Sequence, residues 1–339
     1  RRSSCDVTLD LMSDPKCRDT DYIDFLIASP RSFTCTEAAS VQPESNDPPA
    51  HDAFTRLLHR LEPDPETLWR EAEPSVTKTR GVLVIDDSTL DKPYARKMEL
   101  VSRHWSGKHK RVVMGINLIT LLWTDGDRNI PCDYRLYDKG NDGLTKNDHM
   151  QTMLATAHTR GFEPACVVFD SWYSGLENLK TIRGLGWRWL TQLKVNRKVN
   201  LNRQGLRAVS ETAISAEGTV VWLEGYGPVR VFKVVSQHGD IEYWATGDVA
   251  MTELERLVHA EKCWAIEEYH RTLKQCCGVE RAQVRAGRAQ RNHVGLAIRA
   301  FLRLSHHFFT TGVSCYEAKA GIVRSAVRAY IADPLYNFS

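Results

Sequence analysis

The sequence predicts an α/β protein: a mixed β-sheet flanked by helices, with a helical subdomain before it and a β-rich insertion within it. Two continuous apolar runs, residues 81–85 and 165–169, are each followed directly by aspartate. Buried central strands have this pattern when they carry polar groups at their carboxyl ends. Three strands followed by strand–helix alternation indicate a mixed sheet with helices on its faces. At 339 residues, the chain has room for a core of about 200–250 residues and a smaller module.

Residues 1–78 are predicted to form the helical subdomain, with helices over 21–28, 36–40 and 51–60. Two short helices split by a loop suit a DNA-binding module of the helix-turn-helix kind. A helical unit that packs on the core fits the same pattern, and residues 1–75 carry a net charge of −7. Both interpretations therefore stay open.

The remaining residues divide into four segments. Residues 79–195 form the first part of the core, with strands over 81–85, 111–123, 130–137, 165–169 and 187–195 and helices over 148–160 and 176–185. Residues 196–248 alternate polar and apolar side chains between glycine turns, which predicts a β-rich insertion. Residues 249–312 complete the core with helices over 264–275 and 291–309, and residues 313–339 are predicted to be a C-terminal tail.

Composition and charge narrow the class of protein. The 42% hydrophobic and 26% charged fractions are those of an ordinary globular protein, and no apolar run reaches membrane-spanning length. The nine cysteines lack CxxC spacing, so neither a disulfide framework nor a zinc site is predicted. Outside residues 1–75 the net charge is +10, with clusters of basic side chains that suit a polyanion.

The predicted helix over 264–275 has an unusual polar face. Glu267, Arg271 and Lys274 lie at i, i+4 and i+7, so they share one stripe, separate from an apolar stripe on the same helix. An acid between two long cations can hold a metal ion while the cations bind phosphates. A surface Glu–Arg ion pair, worth about 0.3–0.5 kcal/mol, is the alternative.

Three carboxylates are predicted to meet at one edge of the sheet. Asp86 or Asp87 follows one buried strand, Asp170 follows another, and Glu267 comes from the later helix. Carboxylates this close repel unless divalent cations lie between them, and oxygen ligands suit Mg²⁺ or Mn²⁺. Two such ions can activate an attacking oxygen and stabilise a leaving oxygen on phosphorus. Each aspartate alone also fits a strand-end residue that caps a turn.

Six segments carry a family resemblance: residues 84–93 (VIDDSTLDKP), 115–117 (GIN), 146–149 (KNDH), 169–173 (FDSWY), 193–198 (LKVNRK) and 264–274 (WAIEEYHRTLK). With them the chain resembles the DDE insertion-sequence transposases, which have an RNase H-like core. The similarity is to the subgroup with a YREK-type signature and a β-strand insertion before the third acid. It extends from about residue 21 to about residue 310.

The resemblance implies specific roles for residues. Asp86, Asp170 and Glu267 would be the catalytic, metal-binding acids, with Asp87 as the alternative first aspartate and a possible further ligand. They would hold Mg²⁺, for which Mn²⁺ could substitute, with two ions at each site. The expected DNA contacts are Arg271, Lys274, Lys194, Arg197, Lys198, Trp172 and Tyr173.

The activity implied is cutting and joining of the ends of the element by metal-dependent hydrolysis and strand transfer. The partners would be double-stranded DNA, at terminal inverted repeats and target, and a second copy in a homodimer on DNA. The location would be cytoplasmic, associated with the nucleoid of a prokaryote.

One departure from the family pattern raises an alternative. The Tyr and Arg of the signature fall on Ala260 and Cys263, both expected on the Glu267 face of the helix. Their loss suggests a catalytically weakened, transposase-derived protein that binds DNA in a regulatory role. A nuclease of the same fold that needs no element ends is a third possibility.

Overall fold

In the computed structural model, which describes residues 15–106, 110–236 and 239–334, one mixed sheet of eleven strands organises the protein. The strands are β1 (Val82–Asp91), β2 (Ser102–Ser106), β3 (Arg111–Thr124), β4 (Asn129–Leu136), β5 (Cys166–Phe169), β6 (Trp189–Leu193), β7 (Lys198–Asn200), β8 (Leu206–Ala208), β9 (Thr219–Leu223), β10 (Gly227–Val235) and β11 (Ile241–Thr246). The helices are α1 (Asp19–Ala28), α2 (Cys35–Ser40), α3 (His51–Arg60), α4 (Glu66–Ala72), α5 (Lys139–Asp142), α6 (Lys146–Thr159), α7 (Leu176–Gly184), α8 (Glu253–Glu261), α9 (Trp264–Cys276), α10 (Gly287–Thr311) and α11 (Cys315–Ala332).

The centre of the sheet has the predicted mixed topology. The strand order is β2-β3-β1-β5-β6-β11-β10-β9-β7-β8, and β4 pairs with β3. β1 is antiparallel to β3 and parallel to β5, which is in turn parallel to β6. This confirms the predicted α/β fold, an RNase H-like mixed sheet flanked by helices.

The strand β1 is longer than the sequence predicts. Its apolar half, residues 82–85, is fully buried, but the strand continues through Asp86 to Asp91. It does so because β3 pairs with the whole of it, from Val82 opposite Thr124 to Asp91 opposite Gly115. The first aspartates therefore lie within a strand rather than in a turn after it.

The predicted insertion is part of the same sheet. β11 pairs antiparallel with β6, with Tyr243 opposite Leu193 and Thr246 opposite Leu190, and β10 and β9 extend the sheet from there. The short strands β7 and β8 were not predicted. Main-chain hydrogen bonds therefore connect the insertion directly to the core.

The N-terminal helices pack on α10. The Tyr22 hydroxyl lies 3.0 Å from His293 Nδ1, and Asn292 Nδ2 donates to the carbonyls of Leu58 (2.7 Å) and Leu61 (2.8 Å). The apolar face of α3 is buried in the same hydrophobic core as β1 and α10. Of the two interpretations left open by the sequence, packing of the helical unit on the core accounts for these contacts. Residues 1–14 of the predicted subdomain lie outside the described residues.

The C-terminal segment predicted as a tail forms the helix α11. The Ser314 hydroxyl accepts a hydrogen bond from the Glu317 N–H (3.2 Å) and so caps the helix start. No side chain of α11 is fully buried, so the sequence has no strong amphipathic pattern that would have predicted this helix.

Within the described residues, no helix is both long and apolar enough to cross a membrane. Eight described cysteines are free thiols, and Cys5 lies outside the described residues.

Replacing Arg299 should test the joint between the N-terminal helices and α10. Its guanidinium, 10% exposed, pairs with Asp19 (2.8 Å) and Glu71. Because Arg299→Ala leaves these carboxylates unpaired, we expect it to cost about 3 kcal/mol of unfolding free energy in chemical denaturation. The matched control is Arg303→Ala, whose pair with the exposed Asp24 should be worth less than about 1 kcal/mol. Equal losses in the two variants would contradict this account.

Candidate active site

The register of two parallel strands places the first two acids side by side. β1 and β5 pair up to Ile85 opposite Phe169; Asp86 is the next residue of β1, and Asp170 directly follows the end of β5. Adjacent strands lie about 4.8 Å apart, and residues at the same register level point to the same face. The predicted convergence of Asp86 and Asp170 therefore follows from the strand pairing.

The helix α9 brings the third acid to this edge. The predicted apolar stripe consists of Ile266, Tyr269 and Leu273 on α9 and of Cys277 directly after it, and these side chains are buried, whereas Glu267 is exposed. Lys274 Nζ donates to the Thr89 carbonyl (2.8 Å), which ties the helix to β1. Glu267 is therefore held above the strand that carries Asp86.

The pKa values show that the acids affect one another. Burial, and then the charges of Asp87, Asp170 and Glu267, raise the pKa of Asp86 well above its usual value. Burial also raises the pKa of Asp170, and Asp87 adds to that rise. Burial and the charges of Asp86, Asp170 and Glu267 raise the pKa of the Cys263 thiol to about 12. The thiol is therefore neutral and lies within the field of all three acids.

Asp87 is held differently from its neighbour. It accepts hydrogen bonds from Asn117 Nδ2 (2.6 Å), Lys146 Nζ (2.8 Å) and the Tyr173 hydroxyl (2.8 Å), which occupy both of its oxygens. Burial acts to raise the pKa of Asp87, but the Lys146 charge and these hydrogen bonds outweigh it and lower the pKa. Asp87 is thus a neutralised structural carboxylate, whereas Asp86 has no such partner set.

A neutral histidine completes the wall of the site. His270 is buried, with Nδ1 4.0 Å from Asp86 Oδ2, and burial together with Lys274 lowers its pKa to about 3. Its Nε2 is buried, with no hydrogen-bond partner among the described residues. His270 therefore adds no positive charge beside Asp86 at neutral pH.

The donor chemistry of the site suits a divalent cation. Asp86, Asp170 and Glu267 offer carboxylate oxygens, and the raised pKa of Asp86 shows negative charge that a cation would relieve. In the described parts of the chain, however, no three His, Cys, Asp or Glu side chains are already close enough to form a metal site. The acids are electrostatically coupled but do not adopt ligand geometry in this structure.

A groove of about 830 Å³, here called the acid groove, runs past Glu267. Its lining includes Ser88, Glu267, His270, Arg271, Lys274, Arg31, Glu280 and Arg281. Arg271 lies over the Trp264 ring (5.6 Å), and Lys274 pairs with Glu280 (3.0 Å). Among the described residues Glu267 forms no ion pair with Arg271, so the surface salt bridge considered from the sequence is not present.

A second groove, of about 440 Å³ and here called the tryptophan groove, begins beside Asp170. Its lining includes Ser171, Trp172, Lys194, Arg197, Lys198 and Glu224. Trp172 is 58% exposed, and the ammonium groups of Lys146 and Lys194 each lie 5.5 Å from its ring centre. Four of the seven predicted DNA contacts therefore line one surface next to an acid.

Tyr173 does not reach that surface. It is fully buried, and its hydroxyl is used by Asp87. The aromatic side chain points into the core because residues 170–174 turn sharply after β5, with the Tyr173 and Ser174 N–H groups donating to the carbonyls of Asp170 and Ser171. The expectation that Tyr173 contacts DNA is therefore corrected to a structural role. In the insertion, Trp222 is an exposed aromatic side chain, whereas Tyr226, Tyr243 and Trp244 are buried.

The helix that carries Glu267 is interrupted just before it. α8 ends at Glu261 and α9 begins at Trp264, with a turn between them in which the Cys263 N–H donates to the Ala260 carbonyl (3.0 Å). The sequence predicted that Ala260 and Cys263 lie on one continuous helical face with Glu267. Because of this turn, they do not. The Cys263 thiol nevertheless reaches the acids from the start of α9.

Sequence reasoning missed Lys146, Asn117 and His270 as site residues. All three lie in segments that carried the family resemblance, which was the available signal. His270 sits three residues after Glu267, but its burial beside Asp86 depends on how α9 packs on β1.

Substituting the two adjacent aspartates should change stability in opposite directions. The usual pKa of an aspartate is 3.8. A carboxyl group whose pKa is raised in the folded protein contributes stability below pH 3.8, and that contribution is lost as pH rises through the folded pKa. Metal-free Asp86→Asn should therefore unfold at a higher temperature than the wild type at pH 7. The pKa of Asp87 is lowered, so Asp87 contributes stability above pH 3.8, and that contribution is lost as pH falls through its folded pKa. Asp87→Asn should therefore cost about 1–3 kcal/mol at pH 7, with the loss shrinking in acid.

Thermal melts of both variants in chelator, from neutral to acid pH, measure these effects. Shifts of the same sign at pH 7 would contradict the different environments described for the two carboxylates.

Comparison with known proteins supplies the family. A family model described as "DDE superfamily endonuclease" matches residues 32–213, more than half of the chain, including β1 and Asp170. No curated protein sequence matches. A solved piggyBac transposase synaptic complex with hairpin DNA is similar in fold, with a TM-score of 0.51, 11% identity and coverage of 94% of this chain and 72% of that chain. A Drosophila P element transposase strand transfer complex overlaps at a TM-score of 0.29 and 12% identity, over 61% and 48% of the two chains, which is too low to indicate a shared fold. On the family match, the chain belongs to the DDE superfamily of endonucleases.

Proposed function

We propose that this protein is a DNA transposase that cuts and joins the ends of its own insertion sequence. The observation that carries the proposal is the parallel pairing of β1 and β5 up to Ile85 opposite Phe169, which Asp86 and Asp170 directly follow, with Glu267 close enough to influence the pKa of Asp86. Membership in a family of DDE endonucleases supports phosphodiester chemistry at these acids.

Asp86, rather than Asp87, is proposed as the first catalytic acid. Both Asp87 oxygens accept hydrogen bonds from the protein, so using it as a ligand would break contacts with Lys146, Asn117 and Tyr173. Asp86 instead faces a neutral histidine and two acids. Asp87 would act indirectly, by fixing Lys146 beside Trp172.

Asp86, Asp170 and Glu267 are the residues that would hold the divalent metal, with Mg²⁺ or Mn²⁺ favoured by their hard oxygen donors. A pair of such ions supplies activation of an attacking oxygen and stabilisation of the leaving oxygen on phosphorus. The protein contributes the positions of the acids, through strand register and the packing of α9, and it keeps His270 uncharged beside them.

The two grooves are proposed to bind the DNA on either side of the scissile phosphate. Arg271 and Lys274 would contact phosphates in the acid groove, although Lys274 already uses two of its three N–H donors on Thr89 and Glu280. Lys194, Arg197 and Lys198 would do so in the tryptophan groove. The terminal inverted repeats, the target DNA, strand transfer and a homodimer on paired ends are part of the same proposal, as is a cytoplasmic, nucleoid-associated location.

Removing any one of the three acids should abolish DNA cleavage. Asp86→Asn, Asp170→Asn and Glu267→Gln are each expected to reduce single-turnover cleavage of end-bearing DNA in Mg²⁺ by at least about 10³-fold, because the set acts as a unit. Asp87→Asn serves as the matched control. It should keep more activity than Asp86→Asn, provided that both variants are folded by circular dichroism.

Cleavage that survives loss of Asp170 or Glu267 would overturn the proposed chemistry. Loss of activity in Asp87→Asn with retention in Asp86→Asn would reassign the first acid.

Trp172 should contribute to DNA binding by stacking on a base. Base–aromatic stacking is worth about 1–3 kcal/mol, so Trp172→Ala should weaken binding of end DNA about fivefold to 150-fold by fluorescence anisotropy. Trp105→Ala is the control, because Trp105 is also well exposed (68%) but lies outside both grooves. Equal effects of the two substitutions would argue against stacking by Trp172.

A catalytically weakened DNA-binding protein is the second candidate function. It is favoured by Cys263, which stands where the family signature has arginine and whose neutral thiol lies within the electrostatic influence of Asp86, Asp170 and Glu267. End-specific DNA binding by the wild type without Mg²⁺-dependent nicking would select this function over transposition.

A further inference from the structure

A third groove lies beyond the acid groove and is built by two loops. The loop after β1, residues 92–101, and the loop before α10, residues 277–286, enclose about 780 Å³. The lining of this distal groove includes Asp91, Lys92, Tyr94, Arg96, Lys97, Glu280, Arg281, Gln283 and Arg285. None of the sites described above uses Arg96, Lys97 or Arg285.

The floor of the distal groove is fixed by internal hydrogen bonds. Lys92 is buried, and its Nζ donates to the carbonyls of Glu280 and Ala282 (2.8 Å each). The Glu99 N–H donates to the Arg285 carbonyl (3.0 Å), and Gln290 Nε2 donates to the Val284 carbonyl (2.6 Å). The Lys92 and Glu99 bonds join the two loops, and the Gln290 bond holds the second loop to α10. The groove therefore has its shape before any ligand binds, which lowers the entropic cost of binding.

The rim of the groove carries four unpaired cations. Arg96, Lys97, Arg281 and Arg285 are exposed, and none forms an ion pair with a carboxylate among the described residues. The nearby acid Glu280 is already paired with Lys274 (3.0 Å), and the Lys92 charge is directed at carbonyls. The groove therefore presents a net positive charge, because the lining cations, mostly arginines, outnumber the two lining carboxylates, Asp91 and Glu280. Guanidinium groups bind phosphate oxygens well.

The distal groove is continuous with the acid groove. Glu280 and Arg281 line both of them, and Glu267 lies in the acid groove. A ligand that enters at Glu267 can therefore continue past Arg281 to Arg96 and Arg285. A small anion would not need such a length, and the almost fully exposed ring of Tyr94 (93%) adds a surface for a base.

We propose that the distal groove binds the phosphate backbone of DNA that flanks the cleaved phosphodiester, through Arg96, Lys97, Arg281 and Arg285. The proposal deepens the proposed function and rests on its DNA substrate. It assigns these four cations to sequence-independent affinity, because contacts to phosphates carry no base information. Their contribution should therefore appear in the salt dependence of binding.

The test measures binding of a random-sequence DNA duplex by fluorescence anisotropy over a range of salt concentrations, in chelator so that no cleavage occurs. In the full chain, Arg96, Lys97, Arg281 and Arg285 are replaced together by Gln. Removing one phosphate-binding cation should reduce the slope of log Kd against log salt by about 0.9, so the slope should fall by about 3–4 in the fourfold variant.

The matched control replaces Arg70, Lys180, Arg324 and Arg328 by Gln. It removes the same charge from surface positions outside the three grooves. Its slope should stay within about one unit of the wild type. Thermal melts establish that both variants are folded.

Three results would overturn the proposal: a wild-type slope in the distal variant, equal changes in the two variants, or tighter groove-dependent binding of poly-glutamate than of DNA. The last result would assign the groove to an acidic protein partner instead. Failure of the proposed function is separable from these. If the wild type binds the duplex with the predicted groove dependence but never cuts DNA in Mg²⁺, the proposal for the distal groove stands and the proposed transposase activity is wrong.

Discussion

Repulsion among acidic side chains at one edge of the sheet is the constraint on which the rest of the site depends. Asp86, Asp87 and Asp170 are brought together by strand register, and Glu267 is added by a packed helix. The protein relieves this repulsion at Asp87, with Lys146, Asn117 and Tyr173, and leaves it in place at Asp86. In the proposed function, the remaining negative charge would favour a divalent cation, and the surrounding basic grooves would allow a polyanion to approach the site.

Local sequence patterns were sufficient for the central strands and for the carboxylates that follow their apolar runs. The apolar runs before Asp86 and Asp170 are buried strands, and the stripe of Ile266, Tyr269 and Leu273 faces the core as helical spacing requires. These features were predictable because periodicity reports which face of an element is buried. The same periodicity left Glu267 exposed on the opposite side of α9.

Other features depend on contacts that are distant in sequence. The length of β1 is set by pairing with β3, and the separate environments of Asp86 and Asp87 are set by side chains from β3, α6 and the turn after β5. Tyr173 looked available beside Trp172, but its hydroxyl has a partner 86 residues earlier in the chain. Nothing in the local sequence distinguishes these two aromatics, so only the tertiary structure assigns them.

The pairing of β11 with β6 has a consequence for how the insertion can vary. Side chains on a strand alternate between the two faces, so a slip of one residue in the pairing of β11 with β6 would turn every side chain of β11 to the opposite face. The register of β11 on β6, and of β6 on β5, thus fixes the position of the insertion relative to Asp170. Changes in its length are therefore tolerable in the loops between its strands, whereas a single-residue change within β11 is not.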